Sequence, residues 1–279
     1  MTAMEAMQRR ISVRTYEDRP VDADVRRELE QYIAAQTMGP FGRSVRLTLL
    51  DASHDSAAQL RQYGVYGMIK GAKLFLAGAV ERGEGAMEDY GYCVESAILR
   101  ATELGLGTVW LGGTFSRGTF AQKLALRDSE ALPAITPVGY AAEKVSLRDN
   151  LVRAVAGSRK RKPFGELFLD GAAGMPLSEQ VAGPYAQVLQ AVRMGPSASN
   201  KQPWRVIRGA DAFHLCLQED KAYNHIIPGV LLQNLDMGIA MRHFELAAQE
   251  LGLASQWRFE KPDIHLGSLI YIASYTRVK

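Results

Sequence analysis

The sequence predicts an α+β fold made of two related halves. Helical and strand patterns alternate along the 279 residues, are interrupted by a Gly/Ala/Pro-rich stretch at 170–178, and then restart. Short motifs of the first part also return in the same order in the second. Met38-Gly-Pro returns as Met194-Gly-Pro, Asp89-x-Gly91 as Asp236-x-Gly238, and Gly139-Tyr140 as Ser274-Tyr275. Glu103-Leu-Gly-Leu-Gly-Thr-Val-Trp110 returns as Glu250-Leu-Gly-Leu-Ala-Ser-Gln-Trp257. Any one of these matches could arise by chance. Recurrence in register, in the same predicted context and with a shrinking offset, favours a degenerate duplication. The expected layout is a first half at 1–169, a linker at 170–178 and a second half at 179–279. Each half should carry a mixed, mainly antiparallel sheet flanked by helices.

The elements follow in order. Met4–Arg10 reads as a short helix, and Arg10-Ile-Ser-Val-Arg14 puts three polar side chains on one face if extended. Asp22 can cap a helix from Ala23 to about Gln36, whose apolar face carries Val25, Leu29, Tyr32 and Ile33. Val45–Leu50 and the apolar Lys73–Val80 read as strands, with a weak helix at Ala57–Gln62 between them. Met87–Leu104 is a long helix stopped by Gly105, and the segment to Gly112-Gly113 continues as a strand. A short helix near Arg117–Leu126, a strand at Ala134–Ala141 and a helix from about Leu147 to Ala156 complete the first half. In the second, Val181–Arg193 and Val230–Leu251 read as helices. Trp204–Arg208, Phe213–Gln218, Ser255–Phe259 and Ser268–Tyr275 read as strands.

Composition narrows the function classes. A net charge of +3 is too small to imply a nucleic-acid partner, yet it suits a small anionic ligand at a local cluster. The two cysteines, Cys93 and Cys216, and the five scattered histidines offer no metal-ligand spacing, so no metal site is expected. There is no signal-like apolar segment and no run of membrane-spanning length, so the expectation is a cytoplasmic protein.

Met194-Gly-Pro-Ser-Ala-Ser-Asn-Lys-Gln-Pro-Trp204 concentrates small hydroxyl and amide side chains between two prolines, whereas its first-half counterpart reads Met38-Gly-Pro-Phe-Gly-Arg-Ser44. Taken with Arg10–Arg14, Glu103–Gly113, Val138–Tyr140 and the basic run Arg159–Leu167, this makes the chain resemble the nitroreductase family of FMN-dependent oxidoreductases. The variant is a fused, internally duplicated one, similar to a Thermotoga-type subfamily. The resemblance implies the nitroreductase-like α+β fold, with two degenerate halves forming an intramolecular pseudo-dimer and the two long helices packed at its core. It also implies a site that takes Arg-x-Ser-x-Arg from one subunit of a homodimer and Pro-Ser-x-x-Asn from the other. Here each half keeps only one of the two, and the kept parts are complementary. The expectation is one working FMN site between the halves and one lost site, in a chain that need not associate further.

The resemblance assigns Arg10, Arg159 and Arg161 to the flavin phosphate, which guanidinium forks suit. Arg14 and Ser12 go to the pyrimidine edge, where a positive charge stabilises reduced flavin. Pro196, Ser197 and Asn200 are placed at ribityl or ring polar atoms, and Leu111, Gly112 and Gly113 where backbone must approach the ring. The plainer readings are a solvated surface loop for 159–162, a turn or cap role for Ser197, Ser199 and Asn200, and a tight turn for the glycines. Trp110, Trp204 and Trp257 read as core. Tyr63, Tyr66 and Tyr90 fit either the substrate side or the core, and Cys93 reads as buried and inert.

No side-chain acid or base is needed. NAD(P)H would give hydride to FMN, and a nitroaromatic, quinone or similar acceptor would take the electrons in a ping-pong cycle. A flavin-binding protein without turnover is the rival from another class. A deiodinase or flavin destructase is the specialised rival, and the absence of Glu between Glu30 and Glu81 weakens the deiodinase form.

Overall fold

A computed structural model describes all residues except 66, 143–159, 225–228, 254, 278 and 279. The chain divides into two units, Arg9–Ser158 with Met1, and Arg159–Lys279 with Thr2–Gln8. The helix expected at 147–156 lies outside the described residues.

After the leading helix α1 (Ala3–Arg9), the first unit runs α2 (Ala23–Ala34), β1 (Val45–Asp51), α3 (Ala57–Gln62), β2 (Leu74–Glu81), α4 (Ala86–Glu103), β3 (Gly107–Thr108), α5 (Arg117–Lys123), β4 (Glu130–Ala131) and β5 (Ile135–Gly139). Its sheet has the order β1-β2-β5-β3, with β4 pairing β2, and every ladder is antiparallel. β2 is central and buried along nearly its whole length, which is why its sequence is apolar without alternation. Tyr63, Phe75, Phe115 and Phe120 stack edge and face beside it, with ring centroids 5.1–5.6 Å apart.

The second unit runs α6 (Phe164–Leu167), β6 (Phe168–Asp170), α7 (Glu179–Ala182), α8 (Tyr185–Met194), β7 (Trp204–Arg208), β8 (Ala212–Leu217), α9 (Lys221–Asn224), α10 (Leu232–Glu250), β9 (Ser255–Arg258) and β10 (Ile270–Arg277). Its sheet has the order β6-β7-β8-β10-β9, antiparallel except for the parallel β6–β7 pair. The run β7-β8-β10-β9 thus repeats β1-β2-β5-β3, with the long helix between the second and third strands in sequence in both. The ends of those helices match bond for bond. Gly105 (φ 79°) and Gly252 (φ 70°) are left-handed, and the N–H groups of Leu106 and Leu253 donate to the carbonyls of Ala101 and Ala248, each at 2.8 Å.

Three local expectations differ from what forms. The helix expected at Val181–Arg193 is broken into α7 and α8 by Gly183-Pro184. Gly183 adopts φ 58°, ψ −132°, and Pro184 has no N–H with which to continue the first piece. Asp22 does not cap α2 with its side chain, because that carboxylate accepts the Tyr140 hydroxyl at 2.9 Å. The 170–178 segment is not a linker between the units. Its backbone is hydrogen-bonded into the second sheet, Gly171 N to Arg208 O at 2.8 Å and Leu177 N to Phe168 O at 2.9 Å, and Phe168–Asp170 pairs with β7. The division therefore falls near residue 158, and β6 belongs with the second unit.

Among the described residues no helix is long and apolar enough to cross a membrane. Both long helices are buried well beyond one face, at fourteen of eighteen residues in α4 and thirteen of nineteen in α10. Buried polar groups on them, Glu95, Asp89 and Asp236 among them, must therefore be satisfied from within the protein.

The 10–14 strip is seated on β3. Val13 N donates to Thr108 O at 2.8 Å, and Ser12 bridges Thr108 in parallel. A Cβ on Gly107 would lie 2.7 Å from Val13 Cγ2, so only glycine lets the strip come this close. Gly107→Ala is expected to destabilise the first unit by about 1–3 kcal/mol through this overlap, as read by urea unfolding. An unchanged midpoint would mean the strip is not held against β3.

Candidate functional site

In the first unit, the 10–14 strip rests on Thr108 of β3, and the Leu111-Gly112-Gly113 stretch follows that strand in sequence. Leu111 is fixed to Ile135 by paired backbone bonds of 2.9 and 3.0 Å. The Arg117 guanidinium donates to the carbonyls of Gly112 and Pro133 and stacks 4.6 Å over Phe115, which fixes the chain as it turns outward. Gly112 is half-buried and Gly113 is exposed.

Arg10 is half-buried, and its Nε is out of reach of solvent without a hydrogen-bond partner among the described residues. Burial lowers the pKa of its guanidinium, and the nearby carboxylate of Glu95 opposes that shift. Glu95 itself is fully buried in the middle of α4 and accepts the Trp110 indole N–H at 2.8 Å. An arginine in such a place is a cation already stripped of much of its water, which favours pairing with an anionic ligand oxygen.

The second-unit site is the turn after α8. Gly195-Pro196 ends the helix, and Ser197 is extended (φ −146°, ψ 155°). Ser199, Asn200 and Gln202 then take φ of 49°, 54° and 49°. Left-handed backbone is favourable only for glycine and tolerable for asparagine, so three such residues in four store roughly 1–3 kcal/mol each at the strained positions.

Side chains hold the turn in place. Ser197 Oγ accepts the N–H of Gln202 at 2.9 Å, and Asn200 Nδ2 donates to Lys160 O at 2.9 Å. Gln202 Oε1 accepts the N–H of Lys162 at 2.9 Å, and Ser199 Oγ contacts the Tyr223 hydroxyl at 2.8 Å. Arg161 reaches Asn200 Oδ1 at 3.3 Å and Met194 O at 3.1 Å. The basic run and the polar turn, nearly forty residues apart in sequence, thus form one surface. Lys160, Arg161, Lys162, Arg193 and Lys201 lie along it, with Lys162 paired to Glu166 and Lys201 to Asp220, and the buried Arg205 donates to the Gln202 carbonyl beneath.

The two Met-Gly-Pro turns are anchored in the same way. In the first unit Asp89 accepts the N–H groups of Phe41 and Arg43, both at 2.8 Å, and a Cβ on Gly39 would strike the Asp89 carboxylate at 2.3 Å. In the second unit Asp236 accepts the N–H of Ala198 at 3.0 and 3.1 Å. The first turn is left-handed only at Gly42, so it is relaxed. It also lacks the serine and asparagine of its counterpart.

The structure therefore seats the 10–14 strip on Thr108 of β3, three residues before Leu111, in the first unit, and bonds Arg161 to Asn200 and to the Met194 carbonyl in the second. Arg159 and Tyr66 lie outside the described residues. Tyr63 and Tyr90 resolve as core, bonded through their hydroxyls to Asp55 and to the Ala134 carbonyl. Trp204 is fully buried and Trp257 donates to Glu245, both in the second-unit core. Ser197 and Asn200 take the turn-forming role that stood as their plainer reading.

Sequence reading missed Asp236, Gln202, Glu95 and Arg117. The first two sat inside recognised motifs, Asp-x-Gly and Gln-Pro-Trp, and could have been marked there. Nothing in the sequence singled out the last two. A narrow cleft near Tyr16, Arg19, Arg26 and Lys73 contains none of the candidate residues, and its charges are already paired, as in Arg26 with Glu30 and Lys73 with Asp18.

A family model described as "Putative TM nitroreductase" matches residues 2–248. No curated protein matches the chain in sequence. Among solved structures, a "putative nitroreductase" of Thermotoga maritima aligns with TM-score 0.63 at 16% identity, over 99% of this chain and 94% of its own, which shows a shared fold. A "putative nitroreductase in complex with FMN" from Desulfovibrio desulfuricans is 23% identical over 63% of this chain and 98% of its own, with TM-score 0.46. A nitroreductase with bound FMN from Bacteroides fragilis is 18% identical over 52% of this chain and 91% of its own, with TM-score 0.39.

Burial pushes the Asp89 carboxyl up to about 6, against the opposing pull of the Phe41 and Arg43 amides. An acid with a raised folded-state pKa binds its proton more tightly folded than unfolded. Its stabilising contribution is complete below the ordinary value of 3.8 and is lost as pH rises through about 6. Asp89→Asn should remove that dependence. Between about pH 4 and pH 7 the wild type should lose roughly 2–3 kcal/mol more stability than the variant, measured by denaturant unfolding across pH. Parallel profiles would show that another group titrates.

Proposed function

We propose, from the premise that this chain belongs to the nitroreductase family its model match shows, that it is an FMN-dependent oxidoreductase driven by NAD(P)H. The observation that carries this reading is the joining of Arg161 and Asn200 on a strained polar turn, in a chain of that family. The residues fit the group. Arg10 holds a buried guanidinium nitrogen without a partner among the described residues, and the basic run lies against a turn rich in hydroxyl and amide groups.

In the first unit Arg10, Ser12, Arg14 and the backbone of Leu111, Gly112 and Gly113 would hold the flavin. In the second unit Arg159, Arg161, Pro196, Ser197 and Asn200 would do so. The redox chemistry, from a nicotinamide hydride donor to an acceptor such as a nitroaromatic or quinone, would be supplied by FMN when bound. The chain's own part is to bind and orient. Arginines balance the phosphate charge and favour the reduced ring. Gly112-Gly113 would offer the group backbone without side chains, and Arg117 holds that backbone by its bond to the Gly112 carbonyl. The retained polar turn in one unit and its decayed partner in the other support a duplication in which a single flavin site survived.

Purified chain should bind one FMN, counted from flavin absorbance against protein, and NADH or NADPH should bleach it. Two flavins per chain would refute the single-site reading. Bound flavin that neither cofactor bleaches would leave a binder without turnover, and no flavin uptake would refute the enzyme reading outright. Ser197→Ala with Asn200→Ala should weaken FMN affinity about tenfold or more, as loss of two polar contacts implies, while circular dichroism stays unchanged. Unaltered affinity would remove these residues from the site.

A further inference from the structure

We propose that Asp236 is a positioning residue for flavin binding: its buried carboxylate, near the head of α10, holds the 197–202 turn in the left-handed form in which the turn presents its polar groups. This inference rests on the flavin reading above. Asp236 is 2% exposed, and both of its oxygens lie within 3.1 Å of one donor, the N–H of Ala198. Ala198 opens the short 3-10 turn, and three left-handed residues follow it within four positions. Backbone in that conformation persists only where its surroundings over-determine it.

The other ties come from within the turn, from the basic run, and from Tyr223, Asp220 and Arg205. Ser197 closes the turn on itself through Gln202 N, and Lys160 and Arg161 meet Asn200 from outside. The Asp236 bond is the tie that reaches the turn from the buried helix. Asp89 supplies the comparison. It holds two N–H groups of a relaxed turn that lacks the polar side chains, so a carboxylate at this place does not by itself make a site. In the second unit the same anchor is joined to a strained and polar turn. An asparagine here would keep an oxygen acceptor for the Ala198 N–H.

The test uses the full chain, with amide exchange at Ala198 measured without flavin and FMN affinity measured by fluorescence quenching. Asp236→Ala should speed Ala198 exchange about tenfold and weaken FMN binding about tenfold, the worth of one hydrogen bond of ~1.4 kcal/mol. Asp236→Asn keeps an oxygen acceptor and should restore both to within about threefold. The idea is overturned if Asp236→Ala leaves Ala198 exchange unchanged, or if Asp236→Asn weakens FMN as much as Asp236→Ala does.

Should the alanine variant not fold, Ala198→Pro removes the donor and leaves the carboxylate. Ser197 is already extended, as a residue before proline must be. Folded Ala198→Pro that binds FMN like wild type would also overturn the proposal. A wild type that takes up no FMN would refute the flavin reading, while the exchange comparison would still decide whether Asp236 holds the turn.

Discussion

A carboxylate near the head of each long helix accepts the backbone N–H groups of the turn that enters the sheet. Asp89 does this for 38–43 and Asp236 for 194–198. Other features of each unit follow from that anchor. The helix must be buried for the carboxylate to sit under the turn, so α4 and α10 are enclosed well beyond a single apolar face. The turn must approach closely, so Gly39 has no room for a side chain. The strand after the turn, β1 or β7, then enters the sheet from a fixed point.

The same anchor holds turns of different character. The first turn is relaxed, its positive φ confined to Gly42, and its amides are taken up by Asp89. The second spends conformational energy on Ser199, Asn200 and Gln202 and ties itself to the basic run. That backbone stores its strain in polar residues beside the basic run. On the first-unit side, Arg10 carries a related tension. It is a desolvated guanidinium whose Nε has no partner among the described residues, with Glu95 as the nearby opposing charge.

The elements that were legible in advance were those set by local rules. β2 was readable because a central strand is apolar throughout, and the ends of α4 and α10 because a left-handed glycine closes each. The parts that were not legible depend on partners distant in sequence. Gly183-Pro184 splits a helix whose apolar period runs on past it. The 170–178 segment has linker composition, yet its amides pair with Arg208, His265 and Phe168. Asp22 has the right identity and position for a cap, but Tyr140 takes its carboxylate.

The sequence by itself determined the α+β class, the family and the recurrence of short motifs, because these reside in the order and spacing of residues. Only the tertiary structure decided what holds the Pro196–Asn200 turn. It showed that Ser197 closes the turn internally, that Asn200 bonds the basic run, and that Asp236 reaches up from a buried helix to the Ala198 amide. Those are relations between side chains and backbone groups up to forty residues apart, satisfied because buried polar groups must find partners wherever the fold brings them. No local pattern encodes which partner that will be.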